Sequence, residues 1–180
     1  MGKGRITIGL YNSYDPKKFR EPHRRVIART GGIAMAFDMN LALFGFPLPE
    51  EIKTPVEIAE WIATTTSIGG GGEYFVDLAE KGRFSTFPYP TKGFPPQLGV
   101  PVLTTSSKDS SRSVNLSWIV NEIDNGSGIL LVFGIGPHGV PKNVASIPKH
   151  TFDVTGGNYS LETCTAIGAV SGAIHALLNQ

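Results

Sequence analysis

The sequence predicts an α/β domain built on a mostly parallel β-sheet with helices on both faces. Three observations carry this. Strand-like and helix-like segments alternate along the 180 residues. The strand-like segments are near-continuous apolar runs, as expected of strands buried on both faces. One such run, residues 129–133 (ILLVF), breaks at once into Gly134-Ile135-Gly136-Pro137-His138-Gly139, the side-chain-poor kind of turn found at ligand sites beside strand ends.

The elements follow in order. Residues 5–11 (RITIGLY) alternate in the β manner and stop at the turn cluster Asn12-Ser13-Tyr14-Asp15-Pro16. A basic loop comes next. From Pro22 onward, Val26, Ile27, Ile33, Ala34 and Phe37 mark a helix, interrupted or loosened at Gly31-Gly32, and residues 41–46 form a second buried strand. Thr54-Pro55-Val56-Glu57 is a capping box with proline at the first helical position, and Val56, Ile58, Ala59, Trp61 and Ile62 supply an apolar face. Gly69 to Gly72 reads as a flexible break, and Tyr74, Phe75, Leu78 and Ala79 recur at helical spacing.

Residues 83–99 read as a long loop. Two roles fit its aromatics equally: Phe84, Phe87, Tyr89 and Phe94, with Arg83 and Lys92, could stack and hold unpaired bases, or they could pack the loop down. A strand over 100–105, a polar linker over 106–113, a short helix marked by Leu116, Ile119, Val120 and Ile123, and the strand at 129–133 come next. Phe152-Asp153-Val154 then leads through a second glycine-rich stretch, residues 156–163, into a helix from about Ser160 to Leu178. Two glycine loops that face one another beside an apolar strand suit a flat heterocycle carrying ribose, so a nucleoside-type cofactor pocket is expected.

The length fits a single domain, 1–180, that buries roughly two thirds of the surface its unfolded chain exposes. The single cysteine, Cys164, sits in an apolar segment and reads as a small buried hydrophobe, which suits a reducing cytoplasm. Lys3 and Arg5 have no long apolar run behind them, so no signal peptide is expected. The four histidines, Cys164 and the carboxylates show no metal-ligand spacing, and there is no phosphate loop of the Gly-x-x-x-x-Gly-Lys-Ser/Thr type, which disfavours a metalloenzyme or a nucleotide hydrolase. His150 and His175 read as structural.

Net charge is +1, but its distribution is lopsided. Residues 1–29 hold eight Lys/Arg against Asp15 and Glu21, a local charge of +6 that leaves −5 for the rest of the chain. Such a patch attracts a polyanion through counterion release, RNA above all. Lys17, Lys18, Arg20, His23, Arg24 and Arg25, together with Lys92, are the candidate RNA contacts. The final helix is rich in small residues, with Gly168, Gly172 and Ala176 at four-residue spacing. Glu162, Ser171 and His175 argue against a membrane span there, so close packing against the sheet or a twin subunit is expected, with a homodimer preferred.

Residues 130–142 (LLVFGIGPHGVPK) and 156–170 (GGNYSLETCTAIGAV) resemble the second and third motifs of the SPOUT class of RNA methyltransferases. Residues 25–37 (RVIARTGGIAMAF) and 102–104 (VLT) are similar to the archaeal tRNA ribose 2′-O-methyltransferase branch. The resemblance implies a deep trefoil knot in the carboxyl-terminal half, a homodimer, and S-adenosylmethionine bent into the knot's loops. By position, it puts cofactor contacts on Leu103 and Thr104, on Gly134, Ile135, Gly136 and Val140, and on Val154, Gly156, Ser160 and Leu161. Most would act through the backbone, so small or apolar residues suffice.

One motif departs from that class. The ribose-methylating members carry Asn-x-Gly-x-x-x-Arg after the first strand, and residues 29–35 align with it, keeping Gly31 but placing Arg29 at the asparagine and Met35 at the arginine. The common Ser-Leu-Asn of the third motif is Ser160-Leu161-Glu162. Arg29, as a phosphate contact or a substitute for the missing arginine, and Glu162, as a proton acceptor or an orienting group, are the candidate catalytic residues. For Glu162, a carboxylate in the first turn of a helix is equally well explained by the helix macrodipole. His138 lies inside the expected cofactor loop, where reaching a substrate phosphate and capping the loop by a hydrogen bond explain it equally well. The expected function is S-adenosylmethionine-dependent methylation of tRNA or rRNA, on ribose oxygen or base. The alternative, raised by Met35, is a non-catalytic RNA-binding protein on the same fold.

Overall fold

The computed structural model describes residues 2–64, 71–107, 109 and 111–180. Its elements run β1 (Ile6–Tyr11), α1 (Glu21–Ala36), β2 (Asn40–Phe44), α2 (Pro55–Ala63), α3 (Gly71–Glu80), β3 (Phe84–Phe87), β4 (Val100–Thr104), α4 (Leu116–Asp124), β5 (Ile129–Gly134), α5 (Lys142–Ala145), β6 (His150–Phe152) and α6 (Thr163–Leu178). The six strands form one sheet in the order β3-β2-β1-β5-β4-β6, and every pairing is parallel. All carboxyl ends of the strands therefore lie on one side, where ligands bind in open α/β sheets.

Alternation along each strand divides the core in two. Ile6, Ile8, Leu10, Leu41, Leu43, Ile129, Leu131 and Phe133 face α1, α2, α3, α4 and α6. Ala42, Phe44, Leu130, Val132 and Leu103 face the other way, against Val144 of α5 and the irregular segment that holds Tyr89, Phe94 and Leu98. The two covering layers are thus unequal, with the five longer helices gathered on one face.

Several local features follow from the residues. Thr54 and Glu57 form the reciprocal cap at the start of α2: the Thr54 hydroxyl accepts the Glu57 N–H at 3.2 Å, and the Glu57 carboxylate accepts the Thr54 N–H at 3.0 Å. α1 is continuous through Gly31-Gly32, contrary to the break expected there. Gly31 is needed for close helix packing instead, because a Cβ at that position would lie 2.5 Å from Cδ2 of Phe75 on α3. Of the expected break at Gly69–Gly72, Gly71 and Gly72 open α3, and Gly69 and Gly70 lie outside the described residues.

The stretch 83–99 is not all loop. Phe84–Phe87 forms the edge strand β3, paired with β2 from Leu41↔Phe84 to Phe44↔Phe87. Its aromatics pack inward, which settles their role as structural. Phe84 meets Phe75 edge-on at 4.8 Å, Phe44 stacks on Phe87 at 5.5 Å and meets Phe94 at 5.2 Å, and the Tyr89 hydroxyl donates to the Asn12 carbonyl at 2.7 Å. Arg83 is equally committed, donating to the Met39 carbonyl at 2.6 Å and pairing with Asp38 at 3.2 Å, where it ties the end of α1 to the edge strand. The strand is hard to see in sequence because four residues, FSTF, are followed within three by two prolines.

α6 starts at Thr163 rather than Ser160, with Glu162 as its N-cap, so residues 160–162 are free to run along the sheet's carboxyl edge. Trp118 packs in a tilted arrangement against His150 at 4.4 Å and Phe37 likewise against His175 at 5.3 Å, which gives both histidines packing roles. Among the described residues no helix is long and apolar enough to cross a membrane, and no group of three or more His, Cys, Asp or Glu could hold a metal ion.

Candidate functional site

A cleft of about 560 Å³ opens at the carboxyl ends of β4, β5 and β6, within the size range of small-molecule sites. Three segments wall it. β5 ends at Gly134, and the following turn closes through the Gly139 N–H to the Gly136 carbonyl at 3.1 Å, with Gly139 at φ +64°. From β6 the chain enters residues 153–162, organised by Asp153. Its carboxylate accepts the Thr155 N–H at 3.0 Å, the Thr155 hydroxyl at 2.8 Å and the Asn158 N–H at 2.8 Å. Burial works to raise the Asp153 pKa, but these hydrogen bonds outweigh it and hold the carboxyl below its usual range.

The third wall follows β4, where the Thr104 hydroxyl donates to the Val132 carbonyl at 2.8 Å. Arg112 and Asp109 line the cleft on this side, with Arg112 donating to the carbonyls of Ala145 at 3.0 Å and Pro148 at 2.7 Å and pairing with Asp109 at 2.7 Å. The Thr163 hydroxyl donates to the Gly134 carbonyl at 3.2 Å, so the start of α6 is fastened to the end of β5.

The sequence-based residues sort clearly by place. Leu103, Thr104, Gly134 and Gly136 line the cleft, as do Val140, Val154, Ser160 and Leu161. Ile135 and Gly156 do not: Ile135 packs on the main core and donates its N–H to the Tyr11 carbonyl at 3.2 Å, and Gly156 is an exposed turn residue. The lining pairs glycines and apolar side chains (Leu103, Phe133, Gly134, Val140, Leu161) with hydroxyls and with the charged Asp109, Arg112, Lys142 and Asp153, a mixed donor set that fits a ligand with both a flat apolar part and polar or charged groups. His138, Lys142 and Tyr159 stand at the same walls with their side chains exposed.

A fourth component was not expected from sequence. The hydroxyl of Ser13, just past β1, accepts the Gly136 N–H at 2.8 Å, and a Cβ on Gly136 would lie 2.2 Å from the Ser13 carbonyl oxygen. The turn after β1 therefore seats directly against the Gly134–Gly139 loop. That turn is held by Asn12 and His23. The Asn12 amide donates to the carbonyls of Asp15 at 2.9 Å and Gly45 at 3.0 Å, and its Oδ1 lies 2.9 Å from His23 Nε2. His23 Nδ1 accepts the Arg20 N–H at 2.9 Å, so the neutral ring carries its proton on Nε2 and donates it to Asn12.

His23 is consequently no RNA contact: it is fully buried, enclosed by Tyr14, Phe19 and Phe46, and burial pushes its pKa down. The other basic candidates remain at the surface. Lys17, Lys18, Arg20, Arg25 and Lys92 are exposed, while Arg24 is half-buried with its guanidinium 4.7 Å from the Trp61 ring centre and 5.4 Å from that of Phe19. Asp15 shapes this segment. Its carboxylate accepts the N–H groups of Lys17 at 2.9 Å and Lys18 at 3.0 Å and the Arg20 Nε–H at 3.0 Å, which lowers its pKa to about 2.

Arg29 and Glu162 lie outside the cleft walls. Arg29 is exposed and lines a separate apolar hollow of about 430 Å³ with Ile33, Phe37, Tyr74 and Cys164. Glu162 caps α6, accepting the Thr165 N–H at 3.0 Å and the Thr165 hydroxyl at 3.2 Å. Burial works to raise its pKa, but hydrogen bonds from Cys164 and Thr165 and the charge of Arg29 outweigh it, so the carboxylate is a weaker proton acceptor than an ordinary glutamate. Met35 is half-buried against the core in the last turn of α1. α1 leaves the cleft side at Glu21 and runs back toward the start of β2, so Met35 lies about 20 Å along the helix from that end. Met35 is therefore no part of this chain's own cleft lining.

A match to the family described as "Protein of unknown function (DUF531)" spans residues 6–175. The chain belongs to the DUF531 family. A relative of this DUF531 chain, Uncharacterized protein MJ0224 of Methanocaldococcus jannaschii, is 36% identical over 174 residues, covering 95% of this chain and 94% of its own. Among solved structures, a probable methylase family protein from Haemophilus influenzae superposes with a TM-score of 0.62 at 14% identity, over 98% of this chain and 67% of its own. The SpoU methyltransferase AviRb from Streptomyces viridochromogenes, solved with AdoMet, gives 0.55 at 13% identity; this chain is covered to 98% and spans 59% of that enzyme's length. A structure described as giving insights into 2-OH methylation of C/U34 on tRNA gives 0.54 at 13% identity, with 99% of each chain covered. These likenesses show that this chain shares its α/β fold, a parallel sheet flanked by helices, with those solved methyltransferases.

Proposed function

We propose that this DUF531 protein is an S-adenosylmethionine-dependent RNA methyltransferase acting on tRNA or rRNA, with residues 1–180 as one methyltransferase domain. The observation that carries the reading is the Ser13–Gly136 contact, which seats the turn leading into the basic residues Lys17, Lys18, Arg20 and Arg25 against the loop that walls the cleft. When bound, S-adenosylmethionine supplies an electrophilic methyl group. The protein's part is placement. In-line alignment of acceptor and methyl accounts for much of the acceleration in such a transfer. Leu103, Gly134, Val140 and Leu161 would enclose the adenosyl group, and His138 and Lys142 at the rim would meet phosphate. The fold likeness to AdoMet-bound and tRNA-methylating enzymes supports this reading, as does the resemblance to the archaeal ribose 2′-O branch.

In this proposal Glu162, already spent as an N-cap, orients rather than accepts a proton, and Arg29 contacts phosphate. The chain's return from edge strand β6 to the end of β5 at Thr163 favours a threaded carboxyl-terminal third. The apolar hollow beside Arg29, next to open positions at Gly32 and Gly168 where a Cβ would meet nothing within 4 Å, suits a homodimer formed through α1 and α6. A cytoplasmic setting accords with an RNA substrate.

The test is methyl transfer. Purified protein, methyl-labelled S-adenosylmethionine and RNA from a strain lacking the gene should yield one labelled nucleoside, identified by mass spectrometry and absent from that strain's own RNA. No label in any RNA fraction, with cofactor binding intact, would return the binding-only reading.

A further inference from the structure

Tyr14 is one of few large apolar side chains left in the open, 46% exposed, in a segment otherwise engaged in hydrogen bonds. It is not a loose surface residue. Its N–H donates to Asn12 Oδ1 at 3.1 Å, and its ring stands edge-on to the buried His23 ring at 5.4 Å and 69°. The preceding residue, Ser13, grips the cofactor loop at Gly136, and the following one, Asp15, gathers the main chain of Lys17 and Lys18 and the side chain of Arg20. Tyr14 thus stands between the cleft wall and a cluster of exposed cations, yet outside the cleft lining itself. That is a place for an acceptor rather than a cofactor.

We infer that Tyr14 is the stacking platform for an unpaired RNA base beside the acceptor, which makes the substrate a single-stranded or looped nucleotide with its phosphates on Lys17, Lys18 and Arg20. The inference rests on the methyltransferase reading above and deepens it. Three features favour stacking. Nearly half of Tyr14 is open to solvent, its ring is held against a buried neighbour, so little entropy is lost on contact, and the exposed cations that follow it in the chain are of the kind that hold a phosphate backbone in sequence-tolerant single-strand sites. Tyr14 is a positioning residue here, since the reaction occurs at the cleft.

The test separates base stacking from charge. The full-length protein is titrated with a short adenosine oligoribonucleotide and with a ribose-phosphate oligomer of equal length that carries no bases, at one salt concentration. The wild-type protein should prefer the base-bearing oligomer by about five-fold or more. Tyr14→Phe should keep that preference and Tyr14→Ala should abolish it, with the affinity for the base-free oligomer and for S-adenosylhomocysteine unchanged in all three. Equal binding of the two oligomers by the wild type, or a preference surviving in Tyr14→Ala, overturns the inference while leaving the methyltransferase reading standing. Failure of the wild type to bind S-adenosylhomocysteine strikes that reading instead.

Discussion

Gly136→Val should lower the affinity for S-adenosylhomocysteine by about a hundred-fold or more while the protein still unfolds cooperatively. A Cβ at this position meets the Ser13 carbonyl oxygen at 2.2 Å and its carbon at 2.7 Å, both main-chain atoms that no rotamer change can clear. Either the turn after β1 or the cofactor loop must move, and the Gly136 N–H then loses its 2.8 Å bond to the Ser13 hydroxyl. The damage is indirect: the added side chain points at Ser13 and distorts the cleft by displacing its wall. Ser13→Ala, which removes only the acceptor hydroxyl, should cost much less, about five- to ten-fold, in line with one hydrogen bond. Calorimetric titration of both variants, with thermal melts as the folding control, checks the pair. Undiminished affinity in Gly136→Val would place the cofactor elsewhere.

His23→Ala should destabilise the fold by about 2 to 4 kcal/mol, the range for breaking a buried hydrogen-bonded network. The substitution empties a site enclosed by three aromatic rings, leaves the Arg20 N–H without its acceptor and removes one of the two hydrogen bonds to Asn12 Oδ1, which keeps the Tyr14 N–H. The same residue gives the wild type an acid sensitivity whose sign is fixed. Burial, aided by the charge of Arg20 and partly offset by Asp15, lowers the folded-state pKa below the ordinary histidine value. Below about pH 6.5 the unfolded chain therefore takes up a proton that the folded chain refuses, and stability falls by up to about 1.4 kcal/mol per pH unit until the folded pKa is reached. Above that range the effect vanishes. Denaturant unfolding at neutral pH and at pH about 5 should show this acid loss in the wild type and a smaller one in His23→Ala; equal losses would remove His23 as its source.

The parallel sheet was legible because β2 and β5 are near-continuous apolar runs and β1 alternates, patterns that need no long-range information to be seen. The cap at Thr54 was equally local. Features that depend on contacts between distant segments were not legible. Gly31-Gly32 reads as a helix break until Phe75, 44 residues later, is seen to need the space at Gly31. β3 hides among prolines because its aromatics are recognised as structural only once Phe44 and Phe75 are beside them. In the candidate site, the two glycine loops announce the cleft, but Ser13, Asn12 and His23 form a unit only in three dimensions, and a histidine amid arginines reads as surface. The hydrogen-bonding side chains of Asn12, Ser13 and Asp15 are the one local mark of that unit in the sequence. Met35 misled because its motif was aligned by glycine spacing, without knowing that α1 carries those residues away from the sheet's ligand-binding edge.

The cleft at the ends of β4, β5 and β6 is the foundation of the account, and calorimetric titration of the full-length protein with S-adenosylhomocysteine tests it most directly. One site per chain, weakened by Gly136→Val and untouched by Tyr14→Ala, is the expected result. No heat of binding at millimolar ligand, or binding that Gly136→Val leaves unchanged, would contradict it.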